Sequence, residues 1–273
     1  MVMRNKTTGA TADIMDLGIQ DKKVLITGAS KGIGEGLARA FAEQGCQLRL
    51  VARSADKLEA LAEVLRRQYG VAAEVLAIDL MLAGAVDCIA AFGGDADILV
   101  NNAGAIPGGN LWDVDEAAWR AGWNLKVFGY INMTRVFYRL MAAHGGGVIL
   151  NNIGNGGENF DFDYIAGTTG NAALMAFTRA MGGKSLKDNI RVVGINPGPV
   201  DTDRIRNVWR KRASDRLGDA SRYEELMRNY PLGRPASVAE IADLFVFIAS
   251  PRSGYTSGVI LTVDGGISSN RSI

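Results

Sequence analysis

Short runs of apolar residues alternate with longer amphipathic segments along most of the chain. Such runs are typical of buried strands, whereas apolar residues that recur at helical spacing indicate helices. The pattern predicts strands at Lys22–Thr27, Gln47–Ala52, Ala73–Ile78, Asp97–Asn101, Val148–Asn152, Ile190–Ile195 and Val259–Val263. Helices are predicted at Gly32–Gly45, Asp56–Tyr69, Ala83–Phe92, Glu116–Ala143 (one long helix), Asn171–Met181 and Ser237–Ser250. Because strands and helices alternate, we expect a single doubly wound α/β domain, with a parallel sheet covered by helices on both faces.

The chain has 273 residues, of which 48% are hydrophobic and 22% are charged, a composition typical of one globular domain. A formal net charge of +1 gives no electrostatic signature of nucleic-acid or membrane binding. No apolar run is long enough to span a bilayer, and residues 1–20 lack the apolar core of a signal peptide. We therefore expect a cytoplasmic protein with an N-terminal extension at 1–20 and one domain at 21–273.

Two cysteines, Cys46 and Cys88, fall within predicted helices or at their ends. We expect both to be free, buried thiols, because nothing in the sequence requires a disulfide framework. No spacing of Cys, His and acidic residues matches a metal site, so no metal is expected.

A glycine-rich turn, Thr27–Gly34 (TGASKGIG), follows the first predicted strand and opens the first predicted helix. Its glycines allow a tight turn in which backbone N–H groups approach a pyrophosphate at the positive end of the helix. Three more polar or glycine-containing segments end predicted strands at the same edge of the sheet: Asp79, Asn101–Gly104 and Asn196–Thr202. Because ligands of parallel α/β sheets bind at the carboxyl ends of the strands, the sequence predicts a dinucleotide site there.

The order of these motifs resembles the short-chain dehydrogenase/reductase family. The resemblance covers roughly residues 17–266 and includes the glycine turn, the Asn-Asn-Ala-Gly run, the Pro-Gly-x-Val-x-Thr turn and the terminal Val263–Gly266. It implies a seven-stranded Rossmann-type sheet and hydride transfer between a nicotinamide cofactor and a small carbonyl or alcohol substrate. It also implies a homodimer or homotetramer.

The end of the second predicted strand bears on the choice between NAD(H) and NADP(H). A carboxylate there would bind the ribose diol and repel a 2′-phosphate. The chain instead has Arg53, whose guanidinium suits bidentate phosphate binding, and Lys31 in the glycine turn adds a second cation. We expect NADP(H) in preference to NAD(H). The candidate cofactor-binding residues are Gly28, Ser30, Lys31, Gly32, Ile33, Gly34, Arg53, Ser54, Asp79, Leu80, Asn101, Ala103, Gly104, Asn171, Pro197, Gly198, Val200 and Thr202.

The catalytic region departs from the family pattern. The resemblance implies an Asn in the helix after strand four, a Ser after strand five, and a Tyr followed four residues later by a Lys. Asn124 matches the first position, within the run Trp-Asn-Leu. Lys126 lies two residues beyond it and so should face another side of the helix, which makes it a poor substitute for the missing lysine.

Two registers compete for the other three positions. The first takes Tyr164 as the acid and puts Thr168 where the lysine should be. The second, which we favour because it needs no gap, puts Gly154, Gly167 and Asn171 at the Ser, Tyr and Lys positions. A three-residue insertion at the helix start would return Tyr164 to the active site. The candidate catalytic residues are Asn124, Gly154, Asn155, Tyr164 and Thr168.

Neither register contains Tyr-x-x-x-Lys, and this has a chemical consequence. A tyrosine without a nearby cation keeps a pKa of about 10, so at neutral pH it is almost entirely protonated. Oxidation of an alcohol by a phenolate base should then be slow. Reduction of a carbonyl suffers less, because a neutral tyrosine already carries the proton that it must donate.

A long insert, Asp203–Tyr230, follows the sixth strand, where related proteins carry a substrate lid. Its aromatic residues and arginines are compatible with an anionic substrate, but an amphipathic surface helix explains the same residues and is the interpretation we favour. Ile106 and Trp112 fit either the wall of an apolar pocket or the core.

Three hypotheses remain open from the sequence. The first is an NADP(H)-dependent reductase with an altered proton-delivery site. The second is a cofactor-binding protein that performs no redox turnover and acts as a sensor or assembly subunit. The third is a non-redox lyase or isomerase that uses the acidic loop around Asp161. Residues 151–171 discriminate between them, because a proton donor over the nicotinamide would support the first.

Overall fold

Seven parallel strands form one sheet in the order β3-β2-β1-β4-β5-β6-β7 in the computed structural model, which describes residues 16–270. The strands are β1 (Lys23–Thr27), β2 (Gln47–Ala52), β3 (Ala73–Ala77), β4 (Ile98–Asn101), β5 (Gly147–Asn152), β6 (Ile190–Pro197) and β7 (Ile260–Val263). The seven-stranded parallel sheet expected for this chain is confirmed. The first fifteen residues of the expected N-terminal extension lie outside the described part of the chain.

Apolar side chains leave the central strands on both faces of the sheet. In β1, Val24 and Ile26 pack into one buried cluster, whereas Leu25 packs into another. This alternation is the period of two that an extended strand imposes. Helices cover both clusters, as predicted: α1 (Gly32–Glu43), α2 (Ala55–Tyr69) and α8 (Val238–Ala249) on one face, α3 (Ala85–Gly93) and α5 (Gly129–Ala143) on the other. Within residues 16–270, no helix has the length and apolar character needed to cross a bilayer.

The segment predicted as one long helix is helical throughout. It consists of α4 (Glu116–Trp123), a π-helical turn at Asn124–Phe128, and α5. The predicted helix is therefore continuous, but its centre has π rather than α geometry. A π turn contains more residues than an α turn, so side chains within it are rotated away from the faces that α-helical spacing assigns to them.

Two further α-helices lie in the described part of the chain. α6 (Ile165–Lys184) contains the predicted helical segment Asn171–Met181 and begins six residues before it. α7 (Asp203–Leu217) and a short 3₁₀ segment at Ala220–Met227 form the insert after β6, and α8 begins with the predicted capping box at Ser237 and Glu240. Trp209, which lies in α7, is buried.

Strand order reverses at β1, which pairs with β2 on one side and β4 on the other. The connections that leave β1 and β4 therefore diverge, and a crevice opens at the carboxyl ends of these two strands. The glycine turn follows β1, and the Asn101–Gly104 segment follows β4. The topology thus brings together the two segments that the sequence assigned to cofactor binding.

The buried core includes a residue that we had placed in the N-terminal extension. Ile19 is buried, and its backbone oxygen accepts a 3.1 Å hydrogen bond from the Cys46 thiol. Cys46 is buried as expected, but Cys88 is exposed, which corrects the expectation of two buried thiols. Burial, aided by the charges of Asp97 and Asp21, raises the pKa of Cys46 to about 12.

The two thiols should therefore differ sharply in reactivity. At pH 8, iodoacetamide should alkylate Cys88 in the folded protein and leave Cys46 unmodified, because the thiolate is the nucleophile and Cys46 is both buried and protonated. Peptide mass spectrometry after labelling, with and without denaturant, measures this. Equal labelling of both cysteines in the folded protein would contradict the burial of Cys46.

Candidate active site

The glycine turn is pressed against the segment that follows β4. Gly28 and Gly32 have positive φ values of 68° and 58°, which favour glycine. A side-chain carbon at Gly34 would lie 2.6 Å from the Nδ2 atom of Asn102. The turn can hold this position only because Gly34 has no side chain. The surface that the turn presents is therefore formed by backbone atoms, and we call it the glycine cradle.

Asn102 joins the two segments. Its Nδ2 donates to the backbone oxygens of Thr27 (2.9 Å) and Gly28 (3.2 Å). The Thr27 hydroxyl in turn accepts from the backbone N–H groups of Asn102 and Ala103, both at 3.0 Å. Asn152 at the end of β5 donates to Asn102 Oδ1 at 2.7 Å, so three strand ends are bonded together.

The sequence predicts a cofactor role for Asn101, whose side chain lies away from the glycine turn. Asn101 is fully buried, and its Nδ2 donates to Thr134 Oγ1 (3.2 Å) and Asn151 Oδ1 (2.9 Å) beneath the helices. Neighbouring residues at a strand end point to opposite faces, so only one of the two asparagines can reach the glycine turn. The Asn-Asn-Ala-Gly motif carried no signal that distinguished them.

The residues around the crevice fit a dinucleotide. The glycine cradle leads directly into α1, and within the described chain Lys31 gives this helix no side-chain cap. Backbone N–H groups at the start of α1 are thus available to a pyrophosphate, as the sequence predicted. Of the other candidates in this region, Ser30 and Ile33 are half-buried in the turn, and Leu80 is half-buried against the core.

Arg53 lies open at the end of β2. Its side chain is 72% exposed, and its Nη1 lies 3.8 Å from Asp79 Oδ2. Asp79 accepts a 2.9 Å hydrogen bond from the backbone N–H of Met81, which holds its carboxylate in a turn. Ser54 precedes α2, and its hydroxyl does not cap this helix within the described residues. The Arg53 guanidinium is therefore accessible to a phosphate, although it also lies within ion-pair distance of Asp79.

The turn after β6 closes the opposite side of the crevice. Gly198 donates a 3.0 Å backbone hydrogen bond to Val263, and Val200 is buried. The Thr202 hydroxyl caps α7 by accepting from Ile205 N at 3.4 Å. A side-chain carbon at Gly32 would lie 3.4 Å from Thr202 Cγ2, so Thr202 faces the glycine turn.

Tyr164 occupies the place that the gap-free register left empty. A side-chain carbon at Gly167 would lie within 2.5 Å of three ring atoms of Tyr164. The Tyr164 ring therefore fills the space into which a residue at position 167 would project. Gly109 supports this position, because it donates to Asp163 O at 2.7 Å and accepts from Ile165 N at 3.4 Å. Tyr164 of the first register and Gly167 of the second are therefore in contact at the start of α6.

Tyr164, Gly156 and Asn171 border one space, which we call the cleft. Lys126 reaches this cleft from the π turn. Its Nζ donates to Asn171 Oδ1 at 2.9 Å and to the backbone oxygen of Ile153. Lys126 and Asn124 face different sides of the helix, as expected, but Lys126 rather than Asn124 reaches the cleft. Asn124 is exposed, with no hydrogen bond from its side chain to another described residue. The π turn is the feature that sequence reasoning missed, and the periodicity of the helix gave no sign of it.

Asn171 stands at the position where the family resemblance implies a lysine. It is buried, accepts from Lys126 and donates to Gly154 O at 3.3 Å. Gly154 has a φ of 114° and offers no side chain to a substrate. Its carbonyl anchors Asn171 instead.

Arg204 extends from α7 over the segment after β4. Its guanidinium donates to Gly104 O (3.2 Å) and Ile106 O (3.3 Å). Burial, with a smaller contribution from this positive charge, lowers the pKa of Lys126 to about 7. Burial raises the pKa of Tyr164, while the Arg204 guanidinium works in the opposite direction. The site therefore combines a protonated phenol with an amine that titrates near neutral pH.

Two other catalytic candidates hold the loop between β5 and α6. Asn155 Nδ2 donates to Asp264 Oδ2 at 3.3 Å, towards the C-terminal turn. Thr168 accepts from Asp161 N at 3.4 Å and donates to Asp161 O at 3.5 Å. In these positions both side chains are committed to contacts within the loop and its neighbours.

Apolar residues surround the outer part of the cleft. Ile106 is buried beside Ala166 and packs near Tyr164. Trp112 is 80% exposed and contacts Phe162 edge to face, with ring centroids 5.7 Å apart. Only Ile106 of the two wall candidates is thus part of the core.

Comparisons with known proteins agree with this geometry. A family model described as enoyl-(acyl carrier protein) reductase matches residues 28–268. The 3-oxoacyl-[acyl-carrier-protein] reductase of Chlamydia trachomatis serovar D is 30% identical over 254 residues, covering 90% of this chain and 97% of that protein. The structure of L-sorbose reductase from Gluconobacter frateurii, complexed with NADPH and L-sorbose, is 34% identical with a TM-score of 0.87 and covers 95% of this chain and 100% of its own. A 7α-hydroxysteroid dehydrogenase complexed with NADH and 7-oxo glycochenodeoxycholic acid is 28% identical with a TM-score of 0.82, covering 92% and 96%.

The contact between Tyr164 and Gly167 can be tested by filling the space. Gly167→Ala should lower the free energy of unfolding by about 1–3 kcal/mol, because the new methyl group displaces a half-buried ring. Gly183→Ala in the same helix is the control, since its side chain would meet open space. Urea denaturation of both variants measures the difference. If Gly167→Ala were as stable as Gly183→Ala, the Tyr164 ring would not lie where the structure has it.

Proposed function

The chain belongs to the short-chain dehydrogenase/reductase family, and from that premise we propose that it is an NADP(H)-dependent oxidoreductase that reduces a small carbonyl compound. The observation that carries the proposal is the position of the Tyr164 phenol, packed on Gly167 in a cleft that also contains Lys126. The cleft lies at the carboxyl ends of β4 and β5, beside the glycine turn. A proton donor therefore stands where a dinucleotide bound along the crevice would end.

The cofactor that the relatives bind does not decide between NAD(H) and NADP(H). L-sorbose reductase was crystallised with NADPH, and the 7α-hydroxysteroid dehydrogenase with NADH. The preference for NADP(H) rests on Arg53, which is exposed at the end of β2 and carries the charge that a 2′-phosphate needs. No carboxylate follows β2 directly, since the chain continues with Ser54.

When bound, the nicotinamide cofactor supplies or accepts the hydride. This chain must then handle a proton at the substrate oxygen. Because burial raises the pKa of Tyr164, its phenol is protonated at neutral pH and can donate to the oxygen of a carbonyl. The Arg204 guanidinium stabilises the phenolate that this donation leaves behind. The arrangement favours reduction over oxidation, which would require the phenolate at the outset.

Removal of the phenol tests the assignment of Tyr164. Tyr164→Phe should lower kcat for NADPH-dependent carbonyl reduction at least about 100-fold while the Kd for NADPH stays the same, since the proton donor is lost and the glycine turn is untouched. A panel of ketoses, hydroxysteroid ketones and 3-oxoacyl thioesters, followed at 340 nm, provides the substrates. Tyr255→Phe at a fully exposed position is the control. Unchanged turnover in Tyr164→Phe would remove this residue from the mechanism, and NADPH binding without any turnover by the unmodified protein would favour a cofactor-binding sensor.

Removal of the Arg53 guanidinium tests the cofactor preference. Arg53→Ala should raise the Kd for NADPH about tenfold and leave the Kd for NADH unchanged, because only NADPH carries the 2′-phosphate. Arg67→Ala, at an exposed position in the last turn of α2, is the control. Fluorescence titration of both cofactors measures the affinities. Tighter binding of NADH than of NADPH by the unmodified protein would contradict the proposal.

A further inference from the structure

We propose that Lys126 is a catalytic residue of this site, whose ammonium group binds the substrate oxygen and stabilises the negative charge that forms there. The inference rests on the proposed function and deepens it, because it names the cation that the reduction uses. It assigns this role to the helix after β4, whereas the sequence pattern sought the cation in α6.

The π turn is what directs Lys126 into the cleft. Asn124–Phe128 adds an extra residue to a long helix, and π turns of this kind are frequent at functional sites. The Lys126 stem lies against Gly104, where a side-chain carbon would be 3.0 Å from its Cγ and Cδ atoms. Gly104 therefore provides the groove through which the amine reaches the end of β5.

Within residues 16–270, the hydrogen bonds of Lys126 leave one donor for a ligand. An ammonium group has three N–H donors, and two of them bind Asn171 Oδ1 and the Ile153 carbonyl oxygen. Gly154 and Gly156, which follow Ile153, have no side chains, and a carbon at either would lie 3.3 Å from Asn171 Nδ2. A carbon at Gly156 would also lie 3.6 Å from the Tyr164 ring, so the amide that binds the Lys126 amine and the phenol ring border the same position.

Asn171 completes the arrangement as a neutral positioning residue. A lysine at 171 would bring a second ammonium next to Lys126, and the two charges would repel each other at hydrogen-bond distance. The amide instead accepts from Lys126 on one side and donates to Gly154 O on the other. The lysine at 126 and the asparagine at 171 therefore form a mutually compatible pair.

The chemistry of reduction requires such a cation. As hydride adds to the carbonyl carbon, the π electrons of the C=O bond move onto oxygen, which then takes a proton from Tyr164 and becomes a hydroxyl group. A fixed positive charge next to that oxygen lowers the energy of the transition state in which the negative charge develops. The phenolate left on Tyr164 regains its proton from solvent, so each turnover consumes one hydride and one proton.

Other charged and titratable groups pack around the same cleft. They are Arg204 from α7, Tyr164 before α6, and Tyr130 in α5, whose hydroxyl donates to Asn152 O at 2.8 Å. The positive charge of Arg204 and burial both favour the neutral form of the Lys126 amine, so its pKa is about 7. The ammonium is thus present below neutral pH and lost above it.

Activity measurements against pH test the role. For the unmodified protein, kcat/KM for carbonyl reduction should fall above about pH 7, because this parameter reports groups of the free enzyme and the ammonium is the active form. Lys126→Met keeps the aliphatic stem and should lower kcat/KM about 100-fold at pH 6.5, with that pH dependence abolished. Lys57→Met on the exposed face of α2 should match the unmodified protein. A Lys126→Met variant within threefold of the unmodified protein, with the same pH profile, would overturn the proposal.

A reciprocal exchange separates a catalytic role from a structural one. Lys126→Asn alone should lose activity as Lys126→Met does, whereas Lys126→Asn combined with Asn171→Lys restores one amine and one amide to the hydrogen-bonded pair. We expect the double variant to recover at least tenfold over Lys126→Asn. Thermal unfolding of all variants shows whether they are folded, and equal loss in the single and double variants despite equal stability would count against the cation.

Competitive labelling of amines tests Lys126 without any turnover. Acetic anhydride labelling of the folded protein across pH 5–11, read by peptide mass spectrometry, should give a midpoint near 7 for Lys126. NADPH should protect Lys126 from labelling and leave the exposed Lys57 unaffected. A Lys126 midpoint near the ordinary lysine value of about 10, or no protection, would overturn the placement of the amine in the cofactor cleft. If the protein reduced no carbonyl at all, the proposed function would fail, and this titration would still decide the placement.

Discussion

The close packing of the glycine turn against the segment after β4 is the constraint on which the rest of the site depends. Gly34 has no room for a side chain beside Asn102, and the Asn102 amide binds the backbone of Thr27 and Gly28. Because Asn152 bonds to the same asparagine, the ends of β1, β4 and β5 are held together. The end of any one of these three strands therefore cannot move without the other two. The position of the glycine turn relative to the ends of β4 and β5 is consequently set by one network.

Within this frame, two departures from the family pattern compensate for each other. α6 carries Gly167 and Asn171 where the resemblance implies Tyr and Lys, and these replacements would leave the helix without acid or cation. The Tyr164 ring fills the space above Gly167, and the Lys126 amine reaches Asn171 from the facing helix. Side chains that project from other elements thus bring a phenol and an amine back into the cleft. Gly167 leaves room for the Tyr164 ring, and Asn171 accepts a hydrogen bond from the Lys126 amine.

The insert after β6 is coupled to this chemistry through Arg204. Its guanidinium binds the carbonyls of Gly104 and Ile106, and its charge affects the pKa of both Tyr164 and Lys126. Arg212 of the same helix pairs with Asp161 of the loop before α6 at 3.2 Å. A displacement of α7 would therefore change both the enclosure of the cleft and its electrostatics. The predicted surface helix therefore also contacts the two loops that border the cleft.

The sequence by itself determined the sheet, the order of its helices and the location of the cofactor crevice. These features depend on local periodicity and on glycines such as Gly28, whose positive φ favours glycine over other residues. The tertiary structure alone decided that Asn102 rather than Asn101 reaches the glycine turn, and that Tyr164 and Lys126 share one cleft. Strand ends that differ by one residue look alike in a motif, and a π turn has no periodicity that distinguishes it from the α-helix around it. Local sequence patterns therefore could not predict the arrangement of the site, because its residues meet through packing between elements that are distant in the chain.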